Sequence, residues 1–338
     1  VPYGFMGKVL WVDLSEAKIQ EEALDEKLYR DFLGGYGLGA RILFTHQKAG
    51  VDPLGPENIL GFTTGPITGT RVPFCGRYTV VAKSPLTGTW GDANSGGHFA
   101  PHLKFSGYDA VFFTGSSDKP VYLFIDDGRA ELRDAKHLWG KDTGETEDML
   151  RADLGKDVRV ACIGSAGEKA SLISAVITDK GRAAGRSGVG AVMGSKKLKA
   201  LAARGSKKVP VADEEKLKAL RKKYLDTLSE SVYYSFFHDV GTNDMIPDSA
   251  EIGRTPVKNW GGSVLELDDV NAISGRTLVK LQERRWACYN CPLGCGGSMK
   301  EGKGEYKYPA GVHKPEYETV GAFGTMCLNT NLDSIILA

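Results

Sequence analysis

Gly205-Ser-Lys-Lys-Val-Pro210 divides the chain into two kinds of sequence, and the contrast across it sets the expected fold. On the N-terminal side, short runs of β-branched and aromatic residues alternate with glycine-rich turns. The pattern predicts strands over Lys8 to Val12, Tyr78 to Lys83, Ala110 to Thr114, Val121 to Ile125, Val158 to Ile163, Leu172 to Thr178 and Leu198 to Ala203. Helices are few here: Leu28 to Leu33, part of 97 to 106, and Thr146 to Leu154. On the C-terminal side, Asp213 stands as an N-cap before Glu214 and Glu215, and Leu217, Leu220, Tyr224 and Leu228 recur at helical spacing. The expected class is therefore α+β, with a β-sheet-rich domain over 1–208 and a helical domain over 209–338. That second domain reads as incomplete, because Asn331-Leu-Asp-Ser-Ile-Ile-Leu-Ala338 rises into an apolar run with no glycine stop and no polar tail.

Composition narrows the function. The 338 residues carry 43 Lys and Arg against 42 Asp and Glu, so no global field gathers nucleic acid or an anionic membrane. Any anionic ligand has to be met locally. Hydrophobic residues make up 41% and the mean hydropathy is -0.24, which suits a soluble chain with a large core. No apolar run approaches a membrane span, and the start lacks the pattern of a secretory leader, so the expected location is the cytoplasm. Glycine is over-represented at 43 residues, and many backbone positions must therefore accept positive φ or close approach. No internal period of 20 to 50 residues marks a solenoid.

The most specific motif is Cys288-Tyr-Asn-Cys291-Pro-Leu-Gly-Cys295. Thiolates at this spacing can hold three corners of an iron-sulfur cube, with glycines at 294, 296 and 297 letting the backbone turn and aim amides at sulfur. A structural zinc would need a fourth ligand, for which His313 is the candidate, and radical-SAM clusters use the reverse spacing. Cys327 is expected to be a small buried hydrophobe. Four glycine-rich segments carry interleaved arginine: Gly65-Pro-Ile-Thr-Gly-Thr70, Cys75-Gly-Arg77-Tyr, Asn94-Ser-Gly-Gly97 and Gly181-Arg-Ala-Ala-Gly-Arg-Ser-Gly-Val-Gly190. Freed amides and Arg77, Arg182 and Arg186 suit a ligand with more than one phosphate, against the plainer reading of tight turns between strands. Gly164-Ser-Ala-Gly167 follows a strand and keeps a nucleotide-binding alternative open, whereas Gly188 to Gly194 fails the context of a dinucleotide fingerprint. In Lys314-Pro-Glu316-Tyr-Glu318, Glu318 is a candidate general base or a solvated helix charge. His98 and His102, four apart, are expected to pack rather than to bind metal.

Together these residues resemble one family. Asn94-Ser-Gly-Gly97, Arg182-Ala-Ala-Gly-Arg186 leading into Val189-Gly-Ala-Val-Met-Gly-Ser195, the Cys288 to Cys295 run and Pro315-Glu-Tyr-Glu318 occur in this order in the tungsten-containing aldehyde ferredoxin oxidoreductases. The resemblance covers essentially the whole chain. It implies a β domain that cradles a tungsten bis-molybdopterin, a 4Fe-4S cluster and a magnesium, with aldehydes oxidised to carboxylic acids under anaerobic conditions and electrons passed to a ferredoxin or ferredoxin-like subunit. It further implies pterin contacts at Arg77, Asn94, Gly96, Arg182, Ala183, Gly185 and Arg186, magnesium on the carbonyls of Asn94 and Ala183, cluster ligands at Cys288, Cys291 and Cys295, and Glu318 beside tungsten. The fourth cluster ligand, further pterin contacts and a catalytic histidine would lie beyond residue 338. A homodimer or hetero-oligomer is implied, but Leu337 departs from the glutamate that binds a dimer metal in some members. Alternatives are the catalytic subunit of a low-potential aromatic thioester reductase of the same superfamily, or a non-catalytic scaffold for cluster and cofactor. Molybdenum in place of tungsten stays open.

Overall fold

The computed structural model describes residues 2–338, and its N-terminal unit, which ends at Lys218, contains one motif twice. The first copy runs β1 (Lys8–Asp13), β2 (Lys18–Ala23), the helices Glu26–Phe32 and Gly35–His46, β3 (Leu60–Thr64), β4 (Tyr78–Lys83), β5 (Trp90–Ser95), the helix Phe99–Phe105 and β6 (Ala110–Thr114). The second runs β7 (Val121–Asp126), β8 (Arg129–Asp134), the helix Thr143–Leu154, β9 (Arg159–Cys162), β10 (Val176–Thr178), β11 (Arg182–Ala184), the helix Val189–Ser195 and β12 (Leu198–Arg204). The sheets are ordered β2-β1-β6-β3-β4-β5 and β8-β7-β12-β9-β10-β11, so each strand of one has its counterpart six places on in the other. In each copy the first strand pairs parallel with the last, and the remaining pairings are antiparallel.

Side-chain alternation explains why both sheets are buried on two faces. In β6, Val111 and Phe113 enter a central core while Ala110 and Phe112 face the layer beneath the helix Gly35–His46. In β7, Leu123 and Ile125 enter the same central core, while Tyr122 and Phe124 pack with Leu150 of the helix Thr143–Leu154. The two short helices Phe99–Phe105 and Val189–Ser195 also contribute to the central core, through Phe99, Leu103, Val189, Val192 and Met193. Covering both faces produces the continuous apolar runs that make these strands legible in sequence.

The expected strands are present, but Leu172 to Thr178 shortens to Val176–Thr178 because Leu172 and Ile173 are exposed. Strands β2, β3, β5, β8 and β11 were not foreseen. Trp90-Gly-Asp-Ala-Asn-Ser95 is composed largely of turn-favouring residues, and pairing along all of β4 overrides that local preference. The helix Gly35–His46 was likewise hidden by three glycines. Two of them are required: a Cβ on Gly37 would stand 2.1 Å from the backbone oxygen of Phe32, and one on Gly39 2.8 Å from Val81 Cγ1.

The second unit, Ala219–Ala338, is described by itself. It consists of short helices, 3-10 turns and one hairpin, β13 (Gln282–Trp286) with β14 (Gly296–Met299). The expected N-cap at Asp213 is present, its carboxylate accepting from Lys216 N at 2.8 Å. The helix Glu214–Ser229 that it starts nevertheless buries none of its residues, and Leu220 and Tyr224 are exposed. The core instead gathers in small clusters such as Leu278, Met299, Tyr308, Leu332 and Ile336.

Candidate functional site

The duplication brings the arginine-bearing segments together. β5 and β11 occupy equivalent edge positions in the two sheets, and these two strands meet. Asn94 is the penultimate residue of β5 and Ala183 that of β11, with Gly96 and Gly185 just beyond the strand ends. Asn94 is fixed from both sides: Nδ2 donates to Tyr78 O at 3.1 Å and Thr79 Oγ1 at 3.2 Å, while Oδ1 accepts from Arg77 Nε. The second guanidinium nitrogen of Arg77 is 3.5 Å from the Asn94 carbonyl. Across the strand boundary, Ser187 Oγ donates to Asp92 O at 3.0 Å and Ser84 Oγ donates to Ser187 O at 2.9 Å. These bonds hold the Gly185–Gly188 turn, and with it Arg186, against the edge strand β5 and the turn that follows β4.

Arg77 and Arg186 are exposed and Arg182 is half-buried. Guanidinium groups flanking two strands that meet, Arg77 from one copy of the motif and Arg182 and Arg186 from the other, suit a ligand that presents anionic oxygens twice. Arg77 is held by the Gly65 to Thr70 segment, and that segment in turn by Lys104, which the sequence pattern did not single out. Thr68 Oγ1 accepts from Gly65 N and donates to Arg77 O, both at 3.1 Å, and Lys104 Nζ donates to Gly65 O. Lys104 is fully buried beside Asp109, and burial pushes its ammonium down to about 8. Gly65 to Thr70 is therefore the turn that supports Arg77. Only the structure could reveal Lys104, because a lysine on a short helix carries no sequence signal of burial.

Several expectations change here. Gly164-Ser-Ala-Gly167 opens a four-residue helix, and its last glycine serves packing on the helix Val189–Ser195, where a Cβ at Gly194 would lie 1.9 Å from Gly167 O. His98 and His102 do pack. His98 N donates to Asp179 at 2.7 Å, and the His102 ring lies against Phe105. Burial, with the neighbouring Arg159 and His98 charges, holds His102 at about 4.

In the second unit, Cys288, Cys291 and Cys295 are half-buried in the loop that joins β13 to β14. Cys291 N donates to Cys288 O at 3.1 Å, and left-handed φ values at Asn290 (48°) and Gly294 (52°) wind the loop back on itself. Gly296 and Gly297 belong to β14 and do not turn the chain; a Cβ on Gly297 would instead strike Gln282 at 2.8 Å. Among the described residues, no three His, Cys, Asp or Glu side chains converge as a single ion requires, and His313 packs edge-on to Trp286. A cube differs from a lone ion because each thiolate binds a different iron, so its ligands stand farther apart. All three thiols are half-buried on one wound loop. Cys327 is exposed, contrary to expectation, and its thiol faces Ala322 O at 3.3 Å.

Glu318 lies exposed in the first turn of the helix Tyr317–Phe323. Thr242 holds the start of that helix from a distant segment, accepting from Tyr317 N and donating to Glu316 Oε2, both at 3.1 Å. Asn243 Nδ2 donates to Pro315 O at 2.5 Å. Leu337 is exposed near the end of the helix Leu332–Leu337. Among the described residues, no helix is long and apolar enough to cross a membrane.

Comparison with known proteins follows the same division of the chain. Residues 9–205 match the family described as aldehyde ferredoxin oxidoreductase, N-terminal domain, and residues 219–338 match aldehyde ferredoxin oxidoreductase, domains 2 and 3. The tungsten-containing aldehyde ferredoxin oxidoreductase of Pyrococcus furiosus is 43% identical, the alignment covering 99% of this chain and 55% of the relative. A protein of the same name from Thermococcus kodakarensis is 42% identical, with the same coverage. Among solved structures, the active-site complex BamBC of benzoyl coenzyme A reductase with 1,5-dienoyl-CoA superposes with a TM-score of 0.84 at 30% identity, covering 99% of this chain and 52% of that one. The chain thus spans about half the length of the curated relatives it matches.

Proposed function

The chain belongs to the aldehyde ferredoxin oxidoreductase family, and from that premise we propose that it forms the cofactor-cradling part of a tungsten bis-pterin enzyme that oxidises aldehydes to carboxylic acids and delivers electrons to a ferredoxin. The observation that carries this reading is the pairing of Asn94 and Ala183 at equivalent strand ends of a duplicated motif. A cofactor made of two like halves needs two like contacts. Arg77, Arg182 and Arg186 would neutralise the pterin phosphates, and the Asn94 and Ala183 carbonyls would be the magnesium ligands. Cys288, Cys291 and Cys295 supply three thiolates to a 4Fe-4S cluster.

The tungsten centre, when bound, supplies Lewis acidity and two-electron redox capacity. In balance, RCHO and water give RCOOH, two protons and two electrons, and a cluster held by Cys288, Cys291 and Cys295 would supply the one-electron steps toward a ferredoxin. Glu318 accepts a proton from the attacking water. Its exposure at the first turn leaves the carboxylate within reach of water. The likeness to the benzoyl coenzyme A reductase complex supports a second reading, reduction of an aromatic thioester by the same cradle.

Anaerobic purification of the complete protein with analysis of W, Mo, Fe, Zn and pterin tests the cofactor set. Arg186→Glu is expected to abolish pterin retention while far-UV circular dichroism stays unchanged. Unchanged pterin content would return the glycine-rich segments to simple turns.

A further inference from the structure

Gly241 marks a point where two features of the second unit converge. Its φ is 91°, and a Cβ there would stand 2.9 Å from the carbonyl oxygen of Cys295 and 3.0 Å from Nζ of Lys314. The third cysteine of the loop and the Lys314 ammonium are therefore neighbours, separated by a residue that has no side chain. Lys314 is 6% exposed. It is anchored at both ends, since its backbone N–H donates to Gly297 O at 2.8 Å, two residues after Cys295, and its Nζ donates to Val240 O at 3.1 Å. A side chain tied at backbone and tip, and largely withdrawn from water, keeps its charge in one place and is screened little by salt.

We propose that Lys314 sets the redox poise of the cluster held by Cys288, Cys291 and Cys295. This inference rests on the cluster reading above. When the cluster takes up one electron its negative charge grows by one, while the ammonium is unchanged, so a fixed cation nearby stabilises the reduced form and raises the potential. Lys314 touches no reacting atom of the aldehyde; it is a positioning charge for the electron-transfer step. Gly241 is part of the same device, because any side chain there would push the ammonium away from the cysteine loop.

The test is a dye-mediated redox titration of the complete protein, followed by EPR of the reduced cluster and paired with iron analysis. Lys314→Gln removes the charge but keeps a donor for the Val240 carbonyl, and Lys314→Arg keeps the charge. At the parental midpoint, Lys314→Gln is expected to change the oxidised-to-reduced ratio from one to about ten, equivalent to ~59 mV for a one-electron couple, with iron content unchanged. Lys314→Arg is expected to stay within about twofold of the parent. A change below about threefold in Lys314→Gln at full iron content overturns the proposal. So does loss of iron from Lys314→Gln with retention in Lys314→Arg, which would make Lys314 a support for the loop and not a tuner of its potential. Absence of iron from the parental protein would instead defeat the cluster assignment itself.

Discussion

The two units reach their functional loops by opposite routes. In the first, two six-stranded sheets share a central core that includes Phe62, Phe113, Leu123 and Leu201, and the arginines stand on strand ends that this core makes rigid. In the second, small clusters such as Ile246, Ile273, Val320 and Ile335 hold short helices together, and the helices Glu214–Ser229 and Val232–Asp239 bury none of their residues. The cysteine loop there is shaped by its own turns, with Lys314 bonded just beyond it, and Thr242 and Asn243 hold the start of the helix that carries Glu318. A large shared core lets a site tolerate change at its surface. A site built from turns depends on each of its bonds and on whatever it binds.

The sharpest way to break this contrast is to remove one of the proposed cluster ligands. Cys291→Ala is expected to lose the iron and its visible absorption altogether, while the first unit keeps its limited-proteolysis pattern. A collapse of both units would show that they are one cooperative body. Next, truncation in the shared core should be costly on its own. Phe62 is fully buried against Tyr78, Phe99 and Phe113, and Phe62→Ala is expected to cost about 3–5 kcal/mol in denaturant unfolding. A loss below ~1 kcal/mol would mean that the central core is looser than its packing indicates.

Chemistry comes third. Glu318→Gln in the complete protein is expected to keep metal content and fold while aldehyde-dependent dye reduction falls at least about a hundredfold, the lower end for a lost general base. Turnover at the parental rate would remove Glu318 from the proton path. The smallest effect concerns pH. His102 is held at about 4 in the folded state against its ordinary 6.5, so the unfolded chain binds the extra proton first as pH falls. Its contribution to stability is full above about 6.5 and is lost as pH drops toward about 4. His102→Gln should flatten that part of the stability profile of the first unit, as followed by thermal unfolding between pH 4 and pH 7.

Several features were legible in the sequence because the signal and the structure lie in the same few residues. Tyr78–Lys83 and Ala110–Thr114 appear with the expected bounds, since strands covered on both faces need continuous apolar runs. Asp213 caps the helix it was expected to cap, a contact that spans only three residues. The Cys288 to Cys295 spacing and the arginine-bearing turns marked the candidate sites, because ligand chemistry restricts residue type more tightly than packing does. Gly296 and Gly297 were misjudged, since glycine serves a close sheet approach as readily as a turn.

What the sequence alone determined was the local chemistry, which residues could carry thiolate, guanidinium or carboxylate, and that a β-rich part is followed by a helical one. The tertiary structure alone decided that the first unit is a duplicated motif. Strand order recurs between the copies while the connections differ, from Ala23 to Leu60 in one and from Asp134 to Arg159 in the other, so no fixed period exists to be found. It also decided that Asn94 and Ala183 stand at equivalent strand ends, that Lys104 is buried beneath Gly65, and that Lys314 neighbours Cys295. Each of these depends on segments far apart in the chain being brought together by burial, a collective effect that no single window of sequence records.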